Sequence, residues 1–191
     1  MTLVLASASP RRREILETLG LAFEVQPSQA PEDAREGEGP VALATRLAGN
    51  KAREVSRARP GAAVLGADTV VVLGAEALGK PADEAEARAM IRRLSGGWHE
   101  VTTGVALARD GALLESIAAS TRVRFATLSE ARIARYAATG EGLDKAGAYA
   151  VQGIGAGLVE RIEGSYSNVV GLPAHETLAL LERHGALGEW P

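Results

Sequence analysis

Two β-forming runs, Val101 to Ala108 and Leu113 to Phe125, flank Arg109-Asp110-Gly111-Ala112. An Asp-Gly pair between such runs is a hairpin signal, because the central residues of the tightest turns need positive φ and these two residues adopt it at little cost. Strands joined in this way are antiparallel, so a purely doubly wound parallel sheet is excluded. Elsewhere strand-like and helix-like segments follow one another, and the chain reads as α/β of the mixed α+β kind.

The segments are readable from the N-terminus. Leu3 to Ala6 is a short apolar run and predicts a buried first strand. Ser9 is a good N-cap and Pro10 suits the first helical position, which predicts a helix to about Leu19, stopped at Gly20. Phe23 to Gln26 predicts a second strand, followed by a polar loop from Pro27 to Pro40 long enough to point to function. Val41 to about Arg57 carries an apolar stripe of Val41, Leu43, Ala44, Leu47 and Ala48 and predicts a helix. Ala62–Leu65 and Val70–Leu73 predict two strands separated by Gly66-Ala67-Asp68-Thr69. Asp83 to Glu86 is a capping-box variant opening a helix to about Leu94, ended by Ser95-Gly96-Gly97. Ser129 opens a helix to about Thr139, Gly140 to Gly157 is glycine-rich and polar, and Leu158 to Ile162 predicts a further strand. A last helix ends near Arg183, with Pro173 near its start or kinking it. No internal repeat or low-complexity linker interrupts this order.

The 191 residues suit one globular domain over 1–191, or two closely joined lobes. A net charge of −3 argues against a general nucleic-acid coat. The absence of cysteine removes disulfides, thiol nucleophiles and thiolate metal sites. No apolar run approaches about 18 residues, so no membrane span is expected, and the cytoplasm is the default location.

Charge choice is selective. The chain has eighteen arginines and three lysines, and each lysine sits in a short polar motif: Lys51 in Gly49-Asn50-Lys51-Ala52, Lys80 in Gly79-Lys80-Pro81 and Lys145 in Asp144-Lys145-Ala146-Gly147. An ammonium is a compact point charge that reaches tight phosphate sites, although lysines so placed also serve as plain surface charge. Ser7, Ser9, Arg11, Arg12 and Arg13 crowd hydroxyls and guanidiniums around a predicted helix start. Positive charge there opposes the helix dipole unless an anion joins it, which favours phosphate binding over a capped helix with a solvated basic first turn. Asp68 places a carboxylate at a strand end, or else bonds its own turn. Glu32 and Asp33 lie in the long loop, where solvated acids are the default; with Asp68 and the lysines they could hold a hard cation and a polyphosphate.

Other patterns fail on inspection. Gly74 to Lys80 matches the first part of a phosphate-binding loop, but Pro81 stands where a hydroxyl is needed and removes an N–H, leaving a β-turn followed by a functional lysine. Gly153-Ile154-Gly155-Ala156-Gly157 precedes a strand rather than a helix, against dinucleotide binding. His175-Glu176 lacks the second histidine of a zinc-protease helix, and Gly164-Ser165-Tyr166-Ser167 is no nucleophile elbow.

Six segments in order carry a resemblance: Leu5 to Arg12, Ala67-Asp68-Thr69, Gly79-Lys80-Pro81, Ser95 to Val105, Gly140 to Tyr149 and Gly164 to Pro173. Together they resemble the Maf family of nucleoside triphosphate pyrophosphatases, over roughly residues 3 to 183. Asp68-Thr69 and Asp144-Lys145-Ala146-Gly147 are similar to the dTTP/UTP branch rather than the 7-methyl-GTP branch. Gly142 departs from the proline usual there, a difference read as affecting loop stiffness.

The resemblance implies a Maf/ITPase-like fold: a mixed central sheet flanked by helices, two lobes with a cleft between them, usually a homodimer. It implies Mg²⁺- or Mn²⁺-dependent hydrolysis of a nucleoside triphosphate to the monophosphate and pyrophosphate. Arg11, Arg12, Lys51 and Lys80, with Ser7 and Ser9, are then the phosphate-binding groups, and Glu32 and Asp68 the metal ligands. Asp68 is also the proton acceptor for water, and Arg11, Thr69 and Gln152 match positions that track base specificity. Two other readings stand beside this one: a nucleotide-binding regulator of septum formation, and a purine enzyme of the inosine triphosphate type.

Overall fold

The structure is a computed structural model and describes residues 1–188 and 190. Seven strands form one mixed sheet: β1 (Leu3–Leu5), β2 (Glu24–Val25), β3 (Ala63–Leu73), β4 (Glu76–Leu78), β5 (Trp98–Arg109), β6 (Ala112–Phe125) and β7 (Val159–Glu163). The order is β2-β1-β3-β5-β6-β7, with β4 on β3. β1 runs parallel to β2 and β3, while β4 on β3 and β7 on β6 are antiparallel. The helices are α1 (Pro10–Thr18), α2 (Pro40–Ala58), α3 (Glu84–Leu94), α4 (Glu130–Ala137), α5 (Tyr166–Val170) and α6 (Ala174–Arg183). Among the described residues no helix is long and apolar enough to cross a membrane.

The chain divides into two compact units, one of residues 1–69, 103–119 and from Gly171 on, the other of residues 70–102 and 120–170. In the first, strand alternation sorts the core onto two faces. Leu3 and Leu5, Ala63 and Leu65, Val105 and Leu107 pack with Leu16 of α1 and Leu180 and Leu181 of α6. The intervening residues face α2: Val4 and Val64 meet Val55, and Ala106 and Ala108 meet Ala48 and Ala52. The second unit packs α3 and α4 over Val71, Val101, Val123 and Phe125, through Ile91, Leu94, Ile133 and Tyr136.

The hairpin turn forms as the sequence predicts, with positive φ at Asp110 and Gly111. Asp83 accepts the Glu86 N–H at 2.8 Å, while the Glu86 carboxylate takes the Ala82 N–H, so the capping box is shifted by one residue. Gly74-Ala75 is the turn between β3 and β4.

Three expectations need correction. Ala63 to Leu73 is one continuous strand, so Asp68 lies inside β3 rather than at a strand end or in a turn. The polar Asp68-Thr69 pair breaks the apolar pattern, but it lies between the stretch of β3 paired with β1 at Ala63–Leu65 and the stretch paired with β4 at Val71–Leu73. Ser9 occupies the N-cap position without a side-chain cap; its own N–H is instead taken by Ser7 Oγ at 3.2 Å. Gly142 is more than a stiffness difference, because a Cβ there would lie 2.0 Å from the Ala148 carbonyl oxygen. Pro173 stands immediately before α6, as one of the two sequence readings has it, and kinks no helix.

Candidate active site

β3 sends consecutive polar side chains to opposite faces, which is what period-two geometry requires. Asp68 follows Val64 and Gly66 onto the α2 face, and Thr69 follows Leu65 and Ala67 onto the α1 face. Gly66 lets α2 lie directly on the strand, since a Cβ would come within 2.3 Å of the Ala48 carbonyl oxygen. Gly104 of β5 does the same against Ala44, at 2.4 Å.

That close approach brings Lys51 of α2 to Asp68. Lys51 Nζ donates to Asp68 Oδ1 at 2.7 Å and lies 2.6 Å from Glu32 Oε1. Lys51 and Asp68 are 8% and 9% exposed, whereas the Glu32 side chain keeps 57% of its surface. The pair is therefore the fixed part and Glu32 the accessible part of a three-member group. Two carboxylates on one ammonium leave the group with a formal charge of −1. Both carboxylates converge on the Lys51 ammonium, and because Mg²⁺ characteristically takes only one or two carboxylates together with substrate phosphates, Glu32 and Asp68 could hold such a cation.

On the other face of β3, Arg12 spends its planar fork on three acceptors. Nε donates to the Gly171 carbonyl at 2.9 Å, Nη1 to Ser7 Oγ at 3.1 Å and Nη2 to Thr69 Oγ1 at 3.1 Å. Thr69 Oγ1 is also 2.9 Å from Thr103 Oγ1. Desolvation lowers the Arg12 pKa from its ordinary value; nearby Asp68 and Glu32 oppose that and Arg11 adds to it. An arginine stays protonated across such shifts, so Arg12 is a fixed positive charge beside the acid pair.

Of the residues the sequence singles out, Glu32, Lys51 and Asp68 form one cluster, and Ser7, Arg12 and Thr69 another. Arg11 is half-buried beside Arg12, while Arg13 pairs with Glu17 at the surface. Ser9 contributes its N–H to Ser7. Lys80 and Gln152 belong to the other unit and are exposed, Lys80 after β4 and Gln152 ahead of a 3₁₀ turn at Ile154–Leu158. Lys145 braces its own loop, donating to Asp144 and to the Glu141 carbonyl.

Four contributors escape the sequence reading: Thr103, the Gly171 carbonyl, and Arg46 and Glu54 of α2. The last had a signal available, because Glu54 is three residues after Lys51 and shares its helix face. The Gly171 carbonyl had none, since any residue type carries one.

A sequence profile described as Maf-like protein matches residues 2–184. The chain is 55% identical over 188 residues to a dTTP/UTP pyrophosphatase of Myxococcus xanthus, covering 98% of this chain and 95% of that one. It is 52% identical over 185 residues to a dTTP/UTP pyrophosphatase of Symbiobacterium thermophilum, covering 96% and 94%. A HAM1 protein from Coxiella burnetii shares 20% identity over 67% of this chain and 74% of its own, at a TM-score of 0.47. The profile match over nearly the whole chain, with half or more of the residues shared across nearly the full length of such relatives, makes this chain a member of the Maf-like protein family.

Proposed function

We propose that the protein is a nucleoside triphosphate pyrophosphatase that hydrolyses dTTP and UTP to the monophosphate and pyrophosphate, a housecleaning reaction on the nucleotide pool. The observation that carries this is the Glu32–Lys51–Asp68 cluster beside the Arg12 guanidinium, in a chain whose full-length relatives carry that activity in their names. Phosphoanhydride cleavage asks a protein for charge neutralisation and a positioned water rather than for a covalent nucleophile.

Each residue then has a task. Asp68 accepts the proton of the attacking water, and Lys51, held between two carboxylates, fixes the orientation of both. Arg11, Arg12, Lys51 and Lys80 bind the phosphates, with Ser7 and Ser9 at the helix entry. Glu32 and Asp68 hold a divalent cation, Mg²⁺ or Mn²⁺, which when bound neutralises charge on the triphosphate. Arg11, Thr69 and Gln152 select the base. Water adds across the α–β anhydride, the monophosphate keeps the α phosphorus, and pyrophosphate leaves. The same reading takes the protein as a cytoplasmic homodimer acting on free nucleotides, with neither nucleic acid nor membrane as partner.

The test is a product analysis with Mg²⁺ and a panel of UTP, dTTP, CTP and ITP. UMP and pyrophosphate from UTP are expected. UDP and orthophosphate as first products would end the pyrophosphatase reading, a preference for ITP would move the enzyme to the purine type, and tight binding without turnover would favour a nucleotide-binding regulator.

A further inference from the structure

Glu32 reaches Lys51 from a loop that has almost no secondary structure of its own. Between β2 and α2 the backbone hydrogen bonds to other backbone atoms are those of Gln26 to Leu5, Glu38 to Arg35 and, at the helix entry, Leu43 to Gly39, among the described residues. Ordering such a segment costs backbone entropy at every residue, so something else must hold it. Two side chains of α2 do so, one on each flank of Glu32.

Before Glu32, the Glu54 carboxylate accepts from the Ser28 hydroxyl, from the Gln29 N–H at 2.9 Å and from the Ala30 N–H at 2.9 Å. After Glu32, Arg46 Nη2 donates to the Asp33 carbonyl at 2.9 Å. Arg46 also grips Glu38 through both carboxylate oxygens, at 2.6 Å each. That fork holds the Glu38 carboxyl down to about 2, so the grip persists across the pH range in which the protein would work. One helix thus presents Lys51 to the Glu32 carboxylate and ties down the backbone on either side of it.

We propose that Arg46 and Glu54 are positioning residues that hold Glu32 at the cation site, so that affinity for the divalent cation depends on two side chains that do not touch it. The inference rests on the assignment of Glu32 and Asp68 as cation ligands. Residues that orient metal ligands from outside typically contribute about 10–100-fold in affinity or activity. Loss of either clamp is therefore expected to weaken cation binding by about 10-fold or more, and to lower kcat more than it raises KM for UTP.

The experiment compares wild type with Glu54→Ala, Glu54→Gln, Arg46→Ala, Glu32→Ala and the Glu32→Ala/Glu54→Ala pair. Mn²⁺ binding is read by electron paramagnetic resonance in the presence of a UTP analogue with a methylene bridge between the α and β phosphorus atoms. Amide hydrogen exchange at Gln29 and Ala30 reports the loop directly, and thermal melting reports the fold. The proposal expects a weakened Mn²⁺ site and faster exchange in both Glu54 variants, a smaller effect in Glu54→Gln, and a melting temperature near wild type. It also expects that Glu54→Ala costs nothing further once Glu32 is gone. Wild-type Mn²⁺ affinity in Glu54→Ala, or a full second loss in the Glu32→Ala background, overturns it. A wild-type protein that binds no Mn²⁺ overturns the assignment of the cation ligands and this inference with it.

Discussion

Gly66 of β3 faces the Ala48 carbonyl of α2 so closely that a Cβ would sit 2.3 Å from the oxygen and 2.8 Å from the Ala52 nitrogen. Both obstacles are backbone, which cannot rotate aside. The helix would have to lift, and Lys51 would lift with it from Asp68, two residues along the same strand face. Gly66→Ala is expected to destabilise the protein by about 1–3 kcal/mol, the range for overpacking a tight site. It should also lower kcat, because the 2.7 Å Lys51–Asp68 contact depends on that approach. Urea unfolding and steady-state kinetics on one preparation check both. Wild-type turnover in a destabilised variant would separate the helix seating from the chemistry.

Asp68→Asn keeps the shape of the side chain while removing its charge and its capacity to take a proton. Loss of a general base costs about 10²–10⁴ in rate, so turnover of UTP should fall at least that far while the fold is retained. The buried Lys51 keeps Glu32 as a partner, which limits the stability cost that an unpaired buried charge would otherwise bring. Single-turnover rates with UTP, alongside a melting curve, are the measurement; wild-type rates would remove Asp68 from the mechanism.

Much of this site is legible in the sequence, and the reason lies in local geometry. The Asp-Gly turn and the Gly20 stop depend on positive φ, which few residues adopt, and the Asp83 and Ser129 caps on a side-chain oxygen that accepts a first-turn N–H, so residue identity betrays them. Asp68 is visible in the sequence as a carboxylate beside an apolar run, yet Gly66-Ala67-Asp68-Thr69 reads as a break in its strand. Gly66 weakens strand propensity, but here it is present for the helix that crosses it. That reason comes from Ala48, far away in sequence. The clamps of Glu54 and Arg46 and the Gly171 carbonyl under Arg12 were hidden for the same reason: they are long-range pairings between residues of ordinary type.

His99 supplies a pH dependence in the other unit. It lies edge-on to Phe125 and Tyr149, with ring centroids 5.1 and 5.4 Å away, and its Nε2 is 2.8 Å from the Tyr149 hydroxyl. Its Nδ1 is buried without a partner among the described residues. Burial pulls the imidazole pKa from 6.5 down to about 4. The native state thus resists a proton that the unfolded chain accepts. The neutral ring's full contribution is present above pH 6.5 and is lost as pH falls through about 4. The loss amounts to about 3 kcal/mol at roughly 1.4 kcal/mol per pKa unit. His99→Gln should flatten the stability profile between those two values. Urea midpoints at several pH values for both proteins check this, and parallel profiles would exonerate His99.

Gln152 sits in a loop whose order depends on a buried-edge carboxylate. Glu141 accepts from the Ile154 N–H at 2.7 Å, the Gly155 N–H at 2.8 Å and the Tyr136 hydroxyl at 2.9 Å. Gly153 passes so close that a Cβ would lie 2.0 Å from Glu141 Oε1. The exposed Gln152 amide is therefore carried on a tethered turn rather than on a free loop. An amide offers both a donor and an acceptor, which suits a uracil-type edge with a carbonyl on each side of an N–H. Sites that read a base by hydrogen bonds discriminate more strongly than apolar slots, because a wrong base leaves polar groups unpaired. Gln152→Ala is expected to lower kcat/KM for UTP by about tenfold or more, with a smaller change for CTP, so that the UTP-to-CTP ratio falls. Untethering the turn with Glu141→Ala should lower the same ratio while leaving Gln152 in place. A ratio unmoved by Gln152→Ala would show that this side chain does not read the base, and base selection would then rest on Arg11 and Thr69.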